Sequence, residues 1–170
     1  MTEANPPSDT DRWDAVAEAV ELIHEDRFDD AVTALREVLR ADPGNTHAHF
    51  HLGVAFMRKE SAGPALAAFA NAERLAPGHL GAVVYQAWCL YELGRFADAL
   101  RAGRRALGLS ADDGDALHVM GLASAELGHR DDALEYLSRF VKTNPSAEDR
   151  FDAEALIEAL KGRARPLDAD

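Results

Sequence analysis

The chain is poor in cysteine, in positive charge and in long apolar runs. Cys89 is the one cysteine among 170 residues, so neither an intrachain disulfide nor a cysteine-based metal cage can form. Lysine and arginine number 18 against 30 aspartates and glutamates, which gives a formal net charge of −12. Because nucleic-acid binding needs a cationic surface, we expect no nucleic-acid partner.

Signals for membranes, secretion and catalysis are also missing from the sequence. No apolar run approaches the ~18 residues of a transmembrane helix, and the N-terminus lacks the basic and apolar parts of a signal peptide. We find no Gly-rich phosphate loop, no Gly-x-Ser-x-Gly motif and no carboxylate pair in a catalytic setting. We therefore expect a cytoplasmic protein that is not an enzyme and that carries no cofactor.

The negative charge is concentrated toward the two ends of the chain. Residues 1–11 carry −3, residues 12–45 carry −5, residues 46–145 carry −1 and residues 146–170 carry −3. Two interpretations are open: the charge keeps the protein soluble, or the acidic N-terminal region helps to select a basic partner.

What the sequence does contain is a period of 34 residues. Alanine followed by an aliphatic residue recurs at Ala31, Ala65, Ala99 and Ala133. Twelve residues later stand Pro43, Pro77, Ala111 and Pro145, and twelve residues earlier stand the small residues Ala19, Gly53, Ala87 and Gly121. Three registers that agree over four units indicate a tandem repeat.

Each repeat is predicted to fold as two helices joined by a turn. Alanine is abundant and β-branched residues are sparse, which favours helix over strand. Two apolar runs of about fourteen residues with helical spacing fill each unit, and short turn sequences such as residues 42–45 and 76–79 separate the units. The small residues allow close helix contact, and stacked units bury the face that one hairpin exposes.

With these residues in phase, the sequence resembles the tetratricopeptide repeat (TPR) family, whose unit is a 34-residue helix–turn–helix. The resemblance implies an all-α fold, a right-handed α-solenoid of tandem units. The chain departs from the family pattern at Asp26, where glycine is usual, at Ala62, where an aromatic residue is usual, at Gly103, where a large residue usually packs, and at Ala111, where proline is usual.

The repeat register divides the chain into an arm, four units, a cap and a tail. We predict a disordered arm over residues 1–11, TPR units over 12–45, 46–79, 80–113 and 114–145, and a frayed tail over 162–170. Residues 146–161 are predicted to form a capping helix that begins at Ser146 and packs on the fourth unit through Phe151, Ala155, Leu156 and Leu160.

The first helix of each TPR unit lines the concave groove of the family, so the resemblance implies a set of groove residues here. Most are aromatic or histidine, which are side chains suited to anchoring a partner. The predicted partner-binding residues are Trp13, His47, Phe50, His51, Met57, Val84, Tyr85, Trp88, Tyr91 and His118.

The alternating histidines 47, 49 and 51 do not form a metal site if their segment is helical. His47 and His51 then share a face, whereas His49 points away from them. The pair lacks the glutamate of a His-Glu-x-x-His zinc motif, and further ligands would have to come from His24, His118 or a carboxylate. We predict no native metal site, and we expect Cys89 to be a small core residue.

The residues favour a non-catalytic adaptor that binds a hydrophobic or amphipathic segment of a partner protein in the groove. TPR co-chaperones that bind a C-terminal carboxylate use Lys, Asn and Arg, which the corresponding positions of the first two units here do not contain. Two alternatives stay open: a self-assembling scaffold that forms a homo-oligomer, and a small acidic chaperone for a secreted protein.

Overall fold

The computed structural model describes residues 7–162, and every regular element in this range is an α-helix. The chain divides into two compact units, Met1–Cys89 (unit 1) and Leu90–Asp170 (unit 2). The helices are α1 (Asp9–Asp14), α2 (Ala17–His24), α3 (Phe28–Ala41), α4 (Thr46–Arg58), α5 (Ala62–Leu75), α6 (Leu80–Glu92), α7 (Phe96–Leu109), α8 (Gly114–Glu126), α9 (Arg130–Lys142) and α10 (Ala147–Gly162).

The helices repeat with the period of the sequence. Helices α4, α6 and α8 begin at residues 46, 80 and 114, and α3, α5, α7 and α9 begin at residues 28, 62, 96 and 130. The turn inside each hairpin has one residue of left-handed backbone: φ is 58° at Asp26, 54° at Glu60, 70° at Gly94 and 74° at Gly128. Glycine is favoured there because other residues pay about 1–2 kcal/mol for this conformation, and Asp26 adopts it without changing the turn.

Small residues bring the helices of each hairpin into close contact, as the sequence predicts. A Cβ atom added to Gly53 in α4 would lie 2.6 Å from the Phe69 ring of α5. In unit 2, a Cβ atom added to Gly121 would lie 2.7 Å from Leu137. Gly103, which departs from the family pattern, faces the side chain of Met120, so a neighbouring residue occupies the space that a larger residue would fill.

The N-terminal boundary of the helical region corrects the sequence prediction. Helix α1 begins at Asp9, inside the predicted arm 1–11, while residues 1–6 lie outside the described range. Ser8 and Asp11 cap this helix reciprocally, since Ser8 N donates to Asp11 Oδ2 at 2.9 Å and Asp11 N donates to Ser8 Oγ at 3.2 Å. The first helix of the first repeat is also divided, because a turn at residues 15–16 separates α1 from α2.

Helix α10 begins where the sequence predicts but packs through a different face. Asp149 N donates to Ser146 Oγ at 3.1 Å, which confirms the predicted N-cap. The helix packs on α9 through Ala153, Ile157 and Leu160, whereas Phe151 is 72% exposed and Ala155 is exposed. The predicted stripe was therefore wrong at Phe151 and Ala155, because apolar residues occur on several sides of α10 and packing selects one of them. The predicted tail after residue 162 lies outside the described range.

Candidate partner-binding surface

Six aromatic and histidine rings of unit 1 form a connected surface, which we call the aromatic face. Trp13 of α1 lies with its ring centroid 5.3 Å from His47 and 5.6 Å from His51, both on α4. Phe50 continues the series, with its centroid 5.5 Å from His51, 4.9 Å from His79 and 5.8 Å from Tyr85. The aromatic face thus consists of Trp13, His47, Phe50, His51, His79 and Tyr85.

Polar contacts fix α1 beside α4, and they thereby position Trp13. The buried Asn45 accepts a hydrogen bond from Ala48 N at the start of α4 and donates one to the carbonyl oxygen of Arg12, each at 2.9 Å. Arg12 Nε also lies 2.8 Å from Asp42 Oδ2. Because Asn45 bonds to both α1 and α4, the position of the Trp13 indole depends on the turn before α4.

Phe69 supports the aromatic face from the core. Its ring is fully buried, lies parallel to Tyr85 at 5.1 Å between centroids and lies 5.6 Å from Phe50. The close approach of Phe69 to Gly53 locks this ring against α4. Phe69 therefore packs against the rings of Phe50 and Tyr85 on their core side, and both of these residues stay partly exposed.

The histidines of unit 1 lie among other histidines. Burial, together with the neighbouring His47, His24 and His79, lowers the pKa of His51 to about 4. His47 Nε2 lies 3.0 Å from Asp9 Oδ1, and His79 Nδ1 accepts a hydrogen bond from Ala82 N at the start of α6. His51 is therefore a neutral, half-buried imidazole at physiological pH.

The remaining predicted residues of unit 1 contribute less to this surface. Met57 contacts the core, with its sulfur 3.2 Å from the Sγ atom of Cys89, and Trp88 is partly exposed on α6. Cys89 is fully buried, as expected. The prediction of Val84 as a partner-binding residue was wrong. Val84 is 4% exposed because it lies on the core side of α6, so its side chain cannot reach a partner.

In unit 2, the predicted residues Tyr91 and His118 have other surroundings. His118 lies parallel to Phe140, with ring centroids 4.2 Å apart. Burial lowers the pKa of His118, while Asp149, Asp115 and Asp152 act in the opposite direction. Tyr91 lies 5.5 Å from Phe96, and burial together with Glu126 and Glu92 raises its pKa.

The repeat pattern can now be compared with known proteins. A sequence model described as tetratricopeptide repeat matches residues 16–79 and 63–116, and a second model with this description matches residues 115–147. These matches cover well over half of the chain and agree with the helix period. The chain belongs to the tetratricopeptide repeat family. The predicted all-α TPR fold is confirmed.

Solved TPR structures share this fold at low sequence identity. MamA superposes with a TM-score of 0.75 at 23% identity, over 85% of this chain and 84% of its own. YrrB, a TPR protein with an unusual peptide-binding site, gives 0.72 at 22% identity over 89% of this chain and 78% of its own. The first TPR of Spaghetti (RPAP3), bound to the HSP90 peptide SRMEEVD, gives 0.67 at 16% identity over 71% and 96%. No curated protein sequence matches this TPR chain.

The helical setting of the three alternating histidines agrees with the sequence prediction. His47 and His51 both contact Trp13, while His49 Nε2 lies 3.1 Å from the carbonyl oxygen of Pro43, away from that face. Within residues 7–162, no group of three or more His, Cys, Asp or Glu side chains is arranged to hold a metal ion. No helix in the described part of the TPR chain is long and apolar enough to cross a membrane.

Sequence reasoning missed three contributors to the aromatic face. The repeat register places His79 in the turn between repeats, Phe69 on the second helix of its hairpin and Asp9 in the predicted arm. The capping pair Ser8 and Asp11 was the available signal for α1 and Asp9. No sequence pattern signals that Phe69 supports Tyr85, because that contact joins residues of different repeats.

Proposed function

We propose that this TPR chain is a non-catalytic interaction module whose aromatic face binds an apolar or amphipathic segment of a partner protein. A TPR fold supports a role as a protein–protein interaction scaffold, and members of the family are typically non-catalytic. YrrB has a peptide-binding site and the Spaghetti TPR holds a peptide, so two neighbours of this fold bind peptides.

The exposed indole of Trp13 is the observation that carries the proposal. Trp13 is 47% exposed although it lies against two other rings, and partly exposed Phe50 and Tyr85 extend the same surface. Tryptophan and tyrosine are enriched at interface hot spots, where a partner completes their burial. A helical or extended apolar segment would cover these rings without needing a charged chain end.

A pair of matched tryptophan and phenylalanine substitutions tests the proposal. A partner captured from the host lysate is identified and its affinity is measured for the wild type, Trp13→Ala and Phe151→Ala. Both side chains are exposed, so both variants should stay folded, but Phe151 lies on α10 outside the aromatic face. We expect Trp13→Ala to weaken binding by at least about tenfold and Phe151→Ala to leave it unchanged.

Equal affinities of Trp13→Ala and the wild type would refute the aromatic face as the binding surface. The self-assembling scaffold then becomes the leading alternative, and light scattering over a range of concentrations would detect it. The cytoplasmic location and the chaperone for a secreted protein stay predictions.

A further inference from the structure

The charges beside the aromatic face distinguish between classes of partner. Helices α1 and α2 carry five carboxylates, all on exposed residues: Asp9, Asp11, Asp14, Glu18 and Glu21. Their one arginine, Arg12, is paired with Asp42. At neutral pH the helices that border Trp13 are therefore negative, and they favour a cationic ligand.

The exposed indole is itself suited to a cation. Tryptophan is the aromatic side chain that attracts lysine and arginine most strongly through its ring face. The aliphatic stem of a lysine or arginine would also cover the rings beside Trp13, while its charged group reaches the carboxylates of α1. The same ligand side chain can thus satisfy the apolar and the acidic parts of the surface.

The imidazoles favour a cation only while they are neutral. His51 is approached by His47 on α4, by His24 on α2 and by His79 before α6, and in the described range every charged group that shifts its titration is a histidine. Asp9 of α1 faces His47 at 3.0 Å. The neutral His51 therefore leaves a ligand cation unopposed at pH 7.5.

We propose that the segment bound at the aromatic face carries a lysine or arginine beside its apolar anchor. This inference rests on the proposed function and specifies its partner: a basic amphipathic segment.

Selection from a random peptide library displayed on phage tests the ligand class without assuming a sequence. The full chain is the bait at pH 7.5, and the Trp13→Ala chain is the reference bait. We expect enriched peptides to combine lysine or arginine with a large apolar residue and to be lost on the reference bait. Enrichment of acidic or uncharged peptides would overturn this inference and leave the proposed function standing. No enrichment over the reference bait would overturn both.

Discussion

Units 1 and 2 use the same repeat but place their buried histidines in opposite electrostatic surroundings. His51 in unit 1 is approached by three other histidines, whereas His118 in unit 2 is approached by three aspartates. Burial lowers the pKa of both, but the histidines add to this effect at His51 and the aspartates oppose it at His118. A TPR helix thus presents an imidazole, and the charged residues around it strengthen or oppose the effect of burial on its pKa.

The units also differ in how they use their aromatic side chains. Unit 1 gathers rings around Phe69, which is fully buried, and leaves the Trp13 edge of the cluster exposed. Unit 2 has a buried Phe140 stacked on His118 and an isolated exposed Phe151. A connected exposed cluster has the character of a binding surface, while a single exposed ring is ordinary for a protein surface.

The largest effect should come from removing the ring that supports the aromatic face. Phe69→Ala is expected to lower the free energy of unfolding by about 3–5 kcal/mol, because it leaves a cavity beneath Phe50 and Tyr85. Phe151→Ala in unit 2 should change it by less than about 0.5 kcal/mol. Urea denaturation measures both, and similar losses would contradict the contrast between the clusters.

Gly53 and Gly121 should respond alike, since they hold the same position in two repeats. Each alanine substitution places a methyl group 2.6 Å from Phe69 or 2.7 Å from Leu137, closer than van der Waals contact allows, so each should cost about 1–3 kcal/mol. Gly63→Ala is the control, since nothing lies within 4 Å of its added Cβ. Stability unchanged in either of the first two variants would show that its hairpin can relax.

A smaller effect on stability should appear on acidification, and it should distinguish His51 from His118. The folded chain keeps His51 neutral down to about pH 4, whereas the unfolded chain binds a proton near the ordinary pKa of 6.5. Stability should therefore fall as the pH is lowered from about 6.5 to 4, because the unfolded state binds more protons in that window.

His51→Gln should reduce this loss of stability, which denaturation at several pH values would measure. NMR titration of the imidazole C–H signals gives the direct test. We expect a midpoint of about 4 for His51 and a midpoint below the ordinary value for His118. A midpoint for His51 near 6.5 would contradict its burial among histidines.

The smallest effect should come from the hairpin turns. Glu60 in unit 1 adopts the left-handed backbone that Gly94 and Gly128 supply in unit 2. Glu60→Gly should stabilise the chain by up to about 1 kcal/mol, and Gly128→Ala should destabilise it by a similar amount. Thermal unfolding of both variants shows whether each change raises or lowers the stability. A destabilised Glu60→Gly would show that the Glu60 side chain stabilises the chain by more than its left-handed backbone destabilises it.

Many residues of the candidate surface were predictable, but the burial of individual side chains was not. Trp13, His47, Phe50, His51 and Tyr85 follow from the repeat register, because that register assigns a face to each helix position. The burial of Val84 and the exposure of Phe151 could not be predicted, since apolar residues flank both positions on their helices and several packing faces compete. Asp9 was missed because a short acidic stretch after two prolines resembles an unstructured arm.

The sequence by itself determined the family, the all-α fold and the phase of the repeats, because alanine and glycine spacing constrains helix packing locally in every unit. It also determined that His47 and His51 share a helix face while His49 does not. Only the tertiary structure decided that His79 joins the aromatic face and that Phe69 supports it from the core. It also decided that Asn45 holds α1 against α4 and that His51 lies among other histidines. Most of these contacts join residues of separate helices and turns, so they depend on how the helices pack rather than on any one segment.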